Sequence, residues 1–299
     1  MKIKRNEIEA GRPSTGERAD DRALIKRVET AMLRRVKGLK RFRKEIPLLL
    51  RRAIDEVIDA PRTGRFTVEE LEKTEKTYLG TKVEILLRNW LRLPKGQLLD
   101  LNIDGTEVDV KNTMTGNWMI PREAIGRPCL LVETDETSAR FSIGFIVARI
   151  EFLTPGKNQD GKRGVSAFGK THIHWTLHDE SYPENFWQRI GPALRQKIVS
   201  RPSGTQRVDA LFRLVQEKPI SRVQVLAVAP QKDAMKRLRK NGGARDSLAR
   251  DGIALLSGYY DKTLIEQLRL PKCEKDEFIS FAPTKEPAVQ LLRTSGHIK

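Results

Sequence analysis

One dipeptide constrains this chain more than any other feature. Asp104-Gly105 separates two alternating segments, residues 98–103 and 106–111. Asp-Gly between such segments marks a two-residue β-hairpin turn, because both turn positions need positive φ. That turn pairs residue 103 with residue 106. Stepping outward brings Asp100 opposite Asp109, with Cβ atoms about 5 Å apart on one sheet face. Like charges directly opposite destabilise a sheet unless something compensates. A divalent cation does so, and carboxylates, carbonyls and waters are the donors Mg²⁺ prefers. Lys111 lies two residues after Asp109 and projects to the same face, while Val110 projects to the other, toward the core. The hairpin thus predicts two carboxylates and a lysine on one patch.

An acid-x-Lys triplet alone carries little information. Two occur, Asp109-Val110-Lys111 and Asp160-Gly161-Lys162. The second falls in residues 154–171, a Gly-, Lys- and polar-rich stretch that reads as a mobile loop. The first has an acid at the cross-strand position and Glu84 on a preceding helix. An acid on a helix, then an acid, then D-x-K on a strand is the order of the PD-(D/E)xK nuclease core. Leu99 stands where a proline often precedes the acid.

The charge distribution points to a polyanionic partner. Of 299 residues, 56 are Lys or Arg and 39 are Asp or Glu, a formal net charge of +17. Residues 1–65 carry a net +9, residues 66–188 a net −3, and residues 189–299 a net +11. Basic flanks suit phosphates, and a carboxylate-bearing centre suits cations that the flanks would repel. The balance favours nucleic acid. No apolar run approaches the ~20 residues of a membrane span. Residues 1–9 are polar and charged, unlike a secretory signal. Two distant cysteines, Cys129 and Cys273, make no disulfide framework. The expectation is a reduced, cytoplasmic, bacterial protein.

Helical spacing dominates the first 91 residues. Asp20 is expected to cap a segment with Leu24, Val28, Met32 and Val36 on one face. Pro47 suits the first turn of a second helix bearing Leu50, Ile54, Val57 and Ile58. Thr67 and Glu70 form a T-x-x-E capping box for a third helix reaching Leu91, with a possible break at Gly80. Strands follow at the hairpin, at 129–133 and at 141–150. Alternating helices and strands argue for an α/β core. Pro192, Pro202, Ser203 and Gly204 mark a linker at 191–206. Beyond it the pattern predicts a helix at 207–215, a strand at 222–229, a basic helix after Pro230 ending at Gly242-Gly243, and a strand within 252–258. Lys232, Lys236, Arg237, Lys240 and Arg245 are the candidate DNA contacts there. The domain reading is a basic helical extension (1–45), a catalytic domain (46–190), a linker (191–206) and a DNA-binding domain (207–299).

Competing chemistry is sparse. His172, His174 and His178 make an H-x-H-x3-H cluster that could bind zinc, although such histidines are more often surface polar residues. No Ser/His/Asp or Cys/His arrangement stands out, and no G-x-x-x-x-G-K-[ST] phosphate loop is present. Trp90 and Trp118 read as core.

Longer segments add a resemblance. Arg62-Thr63-Gly64-Arg65, Lys73-Thr74-Glu75-Lys76-Thr77, Gly80-Thr81 and Val83-Glu84-Ile85 resemble the NaeI-like type II restriction endonucleases. Val108-Asp109-Val110-Lys111, Trp118-Met119-Ile120-Pro121 and Glu123-Ala124-Ile125-Gly126 continue in order. Arg207-Val208, Leu211-Phe212-Arg213, Met235-Lys236-Arg237 and Gly242-Gly243-Ala244-Arg245 extend it into the basic half. It covers residues 55–260, apart from the divergent stretch at 154–171.

The resemblance implies a mixed sheet flanked by helices and a C-terminal domain with a helix-turn-helix. Glu84, Asp100, Asp109 and Lys111 would be catalytic. Asp100, Asp109, the Val110 carbonyl and Glu84 would hold Mg²⁺. It further implies site-specific double-strand cleavage leaving 5′-phosphates, a homodimer on a palindrome, a second effector DNA site and a protecting methyltransferase. GCCGGC or a relative is the first candidate site. Two other readings stay open: a non-catalytic DNA-binding regulator, and a repair or junction-resolving nuclease on the same core.

Overall fold

The computed structural model describes residues 15–156, 158–229, 233–239 and 242–299. The chain divides into two compact units, residues 1–57 with 71–184, and residues 58–70 with 185–299. Among the described residues no helix is long and apolar enough to cross a membrane.

The first unit opens with α1 (Thr15–Arg35) and α2 (Leu39–Ile58). Ile25, Val28, Ala31, Met32 and Val36 are buried at helical spacing. Asp20 lies inside α1 rather than at its cap, because no proline interrupts the run from Thr15. Pro47 likewise lies inside α2, not at its start. A proline in a helix interior costs about 3 kcal/mol. Phe42, Ile46, Leu50, Ala53, Ile54 and Val57 form one buried stripe on both sides of it. Each large side chain in that stripe contributes roughly 1.5–3 kcal/mol, which outweighs the proline.

After the single turn of α3 (Ala60–Thr63) comes α4 (Lys73–Leu91). Thr67 and Glu70 do not start α4. They belong to a 3₁₀ turn at Val68–Glu70, where the Glu70 carboxylate accepts the Phe66 N–H at 2.6 Å. Glu75 supplies the reach-back at the true start, accepting the Glu72 N–H at 2.9 Å. Leu79, Val83, Leu87 and Leu91 are buried on one face, and the helix runs unbroken through Gly80.

The strands of this unit are β1 (Leu101–Ile103), β2 (Thr106–Thr113), β3 (Met119–Ile120), β4 (Pro128–Asp135), β5 (Arg140–Val147), β6 (Arg163–Gly164) and β7 (His174–Ser181). Five form a mixed sheet in the order β1-β2-β4-β5-β7. β2 and β4 run parallel; the other pairs are antiparallel. α4 packs against β2. Buried strands β4 and β5 are nearly continuous apolar runs, as central strands must be.

The stretch expected to be a mobile loop carries structure instead. β6 pairs with β3, Leu153 bridges Val165, and α5 (Ala167–Lys170) follows. Buried Val165 anchors it. The Ser166 hydroxyl accepts the Gly169 N–H at 2.9 Å, and Asn158 Oδ1 accepts the Lys162 N–H at 2.8 Å. Local side-chain bonds of this kind let a polar segment hold one conformation.

The second unit contains α3, α6 (Phe186–Arg189), α7 (Pro192–Val199), α8 (Gly204–Leu214), β8 (Ile220–Ser221), α9 (Arg222–Val228), α10 (Ala244–Arg250), β9 (Ala254–Ser257), α11 (Lys262–Gln267), β10 (Glu277–Phe281) and α12 (Glu286–Thr294). Residues 191–206, expected as a linker, hold α7 and the start of α8. The three strands form an antiparallel sheet in the order β8-β10-β9. Ala254, Leu256, Ile265, Ile279, Leu292 and Ile298 make its core.

The expected strand at 222–229 is helix α9. Ser221 Oγ accepts the Gln224 N–H, and Gln224 Oε1 accepts the Ser221 N–H at 2.6 Å, a complete capping box. Val223 is exposed whereas Val225 and Val228 are buried, so the period is helical. Replacing Ser221 with Ala should cost about 1 kcal/mol, the usual value of such a cap. Urea denaturation followed by circular dichroism measures it. The basic segment after Pro230 is a 3₁₀ turn at Ala234–Leu238, shorter than the expected helix.

Candidate active site

The hairpin forms in the register its turn requires. Asp104 and Gly105 have φ of 47° and 84°, and Ile103 pairs with Thr106, Asn102 with Glu107 and Leu101 with Val108. The Asn102 side chain fixes the turn by accepting the Gly105 N–H at 2.8 Å. Pairing stops at Leu101. One step further, Asp100 Oδ2 accepts the Val110 N–H at 2.8 Å. A carboxylate thus takes the place that a backbone carbonyl of a longer β1 would fill.

Asp109 and Lys111 project from one face of β2, and Asp100 approaches from the end of β1. Lys111 Nζ lies 2.9 and 2.8 Å from the two Asp109 oxygens and 3.7 Å from Asp100 Oδ2. It also donates to the Val110 carbonyl at 3.0 Å. Asp109 is 3% exposed. Burial raises its carboxyl pKa to about 6, against the pull of the Lys111 ammonium and with a further push from Asp100. Burial works to lower the pKa of Lys111, but the two carboxylates overcome it and hold the ammonium above its ordinary value. Cys129 pairs with Asp109 across β2 and β4, and burial pushes its thiol far up, so it stays protonated.

The donor set suits a hard cation. Asp109 Oδ2 is buried and accepts no well-directed hydrogen bond; the ammonium beside it balances its charge. Asp100, Asp109 and the Val110 carbonyl offer oxygen alone, the preference of Mg²⁺. Among the described residues no group of three His, Cys, Asp or Glu side chains is placed to hold a metal. Two carboxylates and a carbonyl still fit, because Mg²⁺ keeps several waters.

A family model described as restriction endonuclease NaeI matches residues 43–288. The chain belongs to the NaeI family of restriction endonucleases. The type II restriction enzyme NaeI of Lentzea aerocolonigenes is 35% identical over 243 residues, 78% of this chain and 76% of that enzyme. The match spans α4, the hairpin and most of the second unit.

Not every candidate residue of this NaeI-family chain meets at the cluster. Glu84 stands on α4 with its carboxylate 2.6 Å from Arg88, outside the Asp100–Asp109–Lys111 contacts. The histidines have three separate partners. His172 stacks on Phe152 at 4.5 Å, His174 Nε2 lies 2.9 Å from Glu29, and His178 packs on Trp175 at 4.8 Å. Trp118 is buried, as expected. Trp90 is partly buried; it donates to Glu45 at 3.0 Å and packs on Phe42.

Of the candidate DNA contacts, Lys232 and Lys240 lie outside the described residues. Lys236 pairs with Asp233 at 2.7 Å, and Arg237 lies on the same 3₁₀ turn. Arg245 sits on α10 and turns toward Asp261, 4.0 Å away, which also contacts His297 at 3.2 Å. Sequence reasoning missed Glu133, which pairs with Thr113 and so shares the face of Asp109 and Lys111. Burial raises its carboxyl pKa against Lys170 and His178. Its signal is strand parity, readable only once β4 is registered on β2.

Proposed function

We propose that this enzyme cuts both strands of duplex DNA at a short specific sequence, with Mg²⁺, leaving 5′-phosphate ends. The observation that carries the reading is Lys111 Nζ set among Asp109, Asp100 and the Val110 carbonyl. Asp100, Asp109 and that carbonyl would hold the cation, with Glu84 completing the shell directly or through water. When bound, Mg²⁺ supplies Lewis acidity at the phosphate and a lowered water pKa.

The chain's own residues do the positioning. Val110 anchors the strand by its buried side chain and presents its carbonyl to the site. Asp100 locks β2 through the Val110 N–H. Lys111 orients the attacking water and stabilises charge on the phosphoryl oxygens. The water oxygen bonds to phosphorus and its proton passes to solvent, while the P–O3′ bond breaks, its electron pair leaving on O3′, which takes a proton from solvent to become the 3′-hydroxyl. The phosphate stays on the 5′ end.

The second unit would bind DNA through a helix-turn-helix, with the capped helix α9 as its first helix. The basic 3₁₀ turn at Ala234–Leu238 that follows α9, bearing Lys236 and Arg237, supports this reading. A palindromic target implies a two-fold homodimer. A second copy of the site as effector, and a methyltransferase protecting the same sequence, complete the proposal.

A plasmid digest tests the reading. Purified protein should give discrete fragments in Mg²⁺ and none in EDTA, and end sequencing should show one sequence with 5′-phosphates. Intact plasmid beside tight, salt-sensitive retardation of the same DNA would replace the nuclease with a binding protein. Cuts that follow DNA structure rather than sequence would favour a junction-resolving enzyme.

A further inference from the structure

The first unit carries a basic cleft that the cleavage chemistry does not use. It has a volume of about 350 Å³ and is walled by Arg35, Val36, Lys37, Arg41, Trp90 and Arg92. Two carboxylates bear on its four cations. Asp104 is shared between Arg34 at 2.9 Å and Arg35 at 2.7 Å, and Glu45 accepts from Arg41 at 2.6 Å. Lys37 and Arg92 are exposed and have no ion pair or side-chain hydrogen bond among the described residues. The cleft therefore keeps excess positive charge facing solvent.

The backbone adds an independent sign. Lys37 has φ 63° and Arg92 has φ 51°, the left-handed region that glycine adopts without cost. They follow the ends of α1 and α4 respectively, where glycine is the usual residue. Cations at two such positions, aimed into one cleft, are the kind of local strain that marks functional surfaces. The competing explanation is a favourable charge at two helix C-termini. It predicts an effect on stability and none on ligand binding.

We propose that this cleft docks the sugar–phosphate backbone of duplex DNA outside the cut site. Arg35 holds Asp104, five residues from Asp109, a span of at most about 17 Å along the strand. One duplex at the Asp109 cluster, with a phosphate every ~1.7 Å of axis counting both strands, has backbone within that range. Arg35, Lys37 and Arg41 precede residue 43, where the family match begins. The inference rests on DNA being the substrate and extends the protein's grip beyond the reacting phosphate.

The test is DNA retardation at several salt concentrations in EDTA, using a 30-base-pair duplex and the full-length protein. The double variant Lys37→Gln/Arg92→Gln should lower the slope of log affinity against log salt by about 1.8, roughly 0.9 per lost phosphate contact. Affinity near 0.1 M salt should fall roughly 60-fold, the lost slope acting over the decade below 1 M salt. A charge-matched variant, Arg140→Gln/Lys162→Gln, should change neither. A second double variant, Lys37→Gly/Arg92→Gly, separates the explanations. It should melt at or above the wild-type temperature yet lose the same slope. Slopes no lower than the charge-matched control in both cleft variants would overturn the proposal. Because binding is read in EDTA, an intact plasmid in the Mg²⁺ digest would count against the nuclease reading and leave this result standing.

Discussion

Asp109→Asn should cut DNA at least about 1,000-fold more slowly than the wild type while still retarding it. A thousandfold corresponds to roughly 4 kcal/mol of transition-state stabilisation. The substitution keeps the shape of the side chain and removes its charge. It takes away a proposed cation ligand and the partner that holds Lys111 Nζ at 2.8 Å. A half-buried ammonium left without this carboxylate also weakens the fold. The double variant Asp109→Asn/Lys111→Met should therefore recover melting temperature without recovering cleavage. Cleavage near the wild-type rate in Asp109→Asn, with Mg²⁺ present, would remove the site assignment.

The largest stability effect should come from a residue far from that chemistry. Arg51 Nη1 lies 2.8 Å from Glu136 Oε1, and Arg51 Nη2 lies 2.9 Å from Asp55 Oδ1. The Tyr182 hydroxyl donates to the same Glu136 carboxylate. The Arg51 and Glu136 side chains are 9% and 4% exposed. Burial alone would lower the arginine pKa, but Asp55 and Glu136 overcome it and hold the guanidinium above its ordinary value. Burial likewise pushes the Tyr182 hydroxyl far up, so it stays a donor. Glu136→Ala leaves the buried guanidinium with Asp55 alone and takes away the acceptor of the Tyr182 hydroxyl, and breaking a buried pair this way costs about 3–5 kcal/mol. The melting temperature should drop by about 10 °C, at roughly 2–4 °C per kcal/mol. Replacing both partners, Arg51→Met/Glu136→Leu, should restore most of the loss, because well-packed apolar residues often match a buried ion pair. A melting temperature within 2 °C of wild type for Glu136→Ala would show that the network carries no net stability.

The site was legible where its geometry is local. Asp104-Gly105 fixes a turn, the turn fixes the register, and parity fixes the shared face of Asp109 and Lys111. Asp100 was expected opposite Asp109, but pairing ends at Leu101, and its side chain instead accepts the Val110 N–H, a bond no strand pattern reveals. Glu84 was harder, because strand parity says nothing about where a side chain on α4 points. The strand expected at 222–229 failed for a specific reason. Val223, Val225 and Ala227 alternate, yet the Ser221-x-x-Gln224 cap starts a helix whose buried side takes Val225 and Val228. Pro47 failed the other way, since a long apolar stripe overrode a reliable local stop. The Arg51–Glu136–Tyr182 network joins residues 85 and 46 positions apart. No local pattern predicts such a meeting.

Asp100, Asp109 and the Val110 carbonyl are proposed to form one divalent-cation site beside Lys111. Anomalous diffraction from crystals soaked in Mn²⁺, a close stand-in for Mg²⁺, tests it most directly. A peak is expected among those three donor groups, with Lys111 Nζ moved off Asp109. A peak at Glu133 and His178 instead, or none at the hairpin at saturating Mn²⁺, would contradict it.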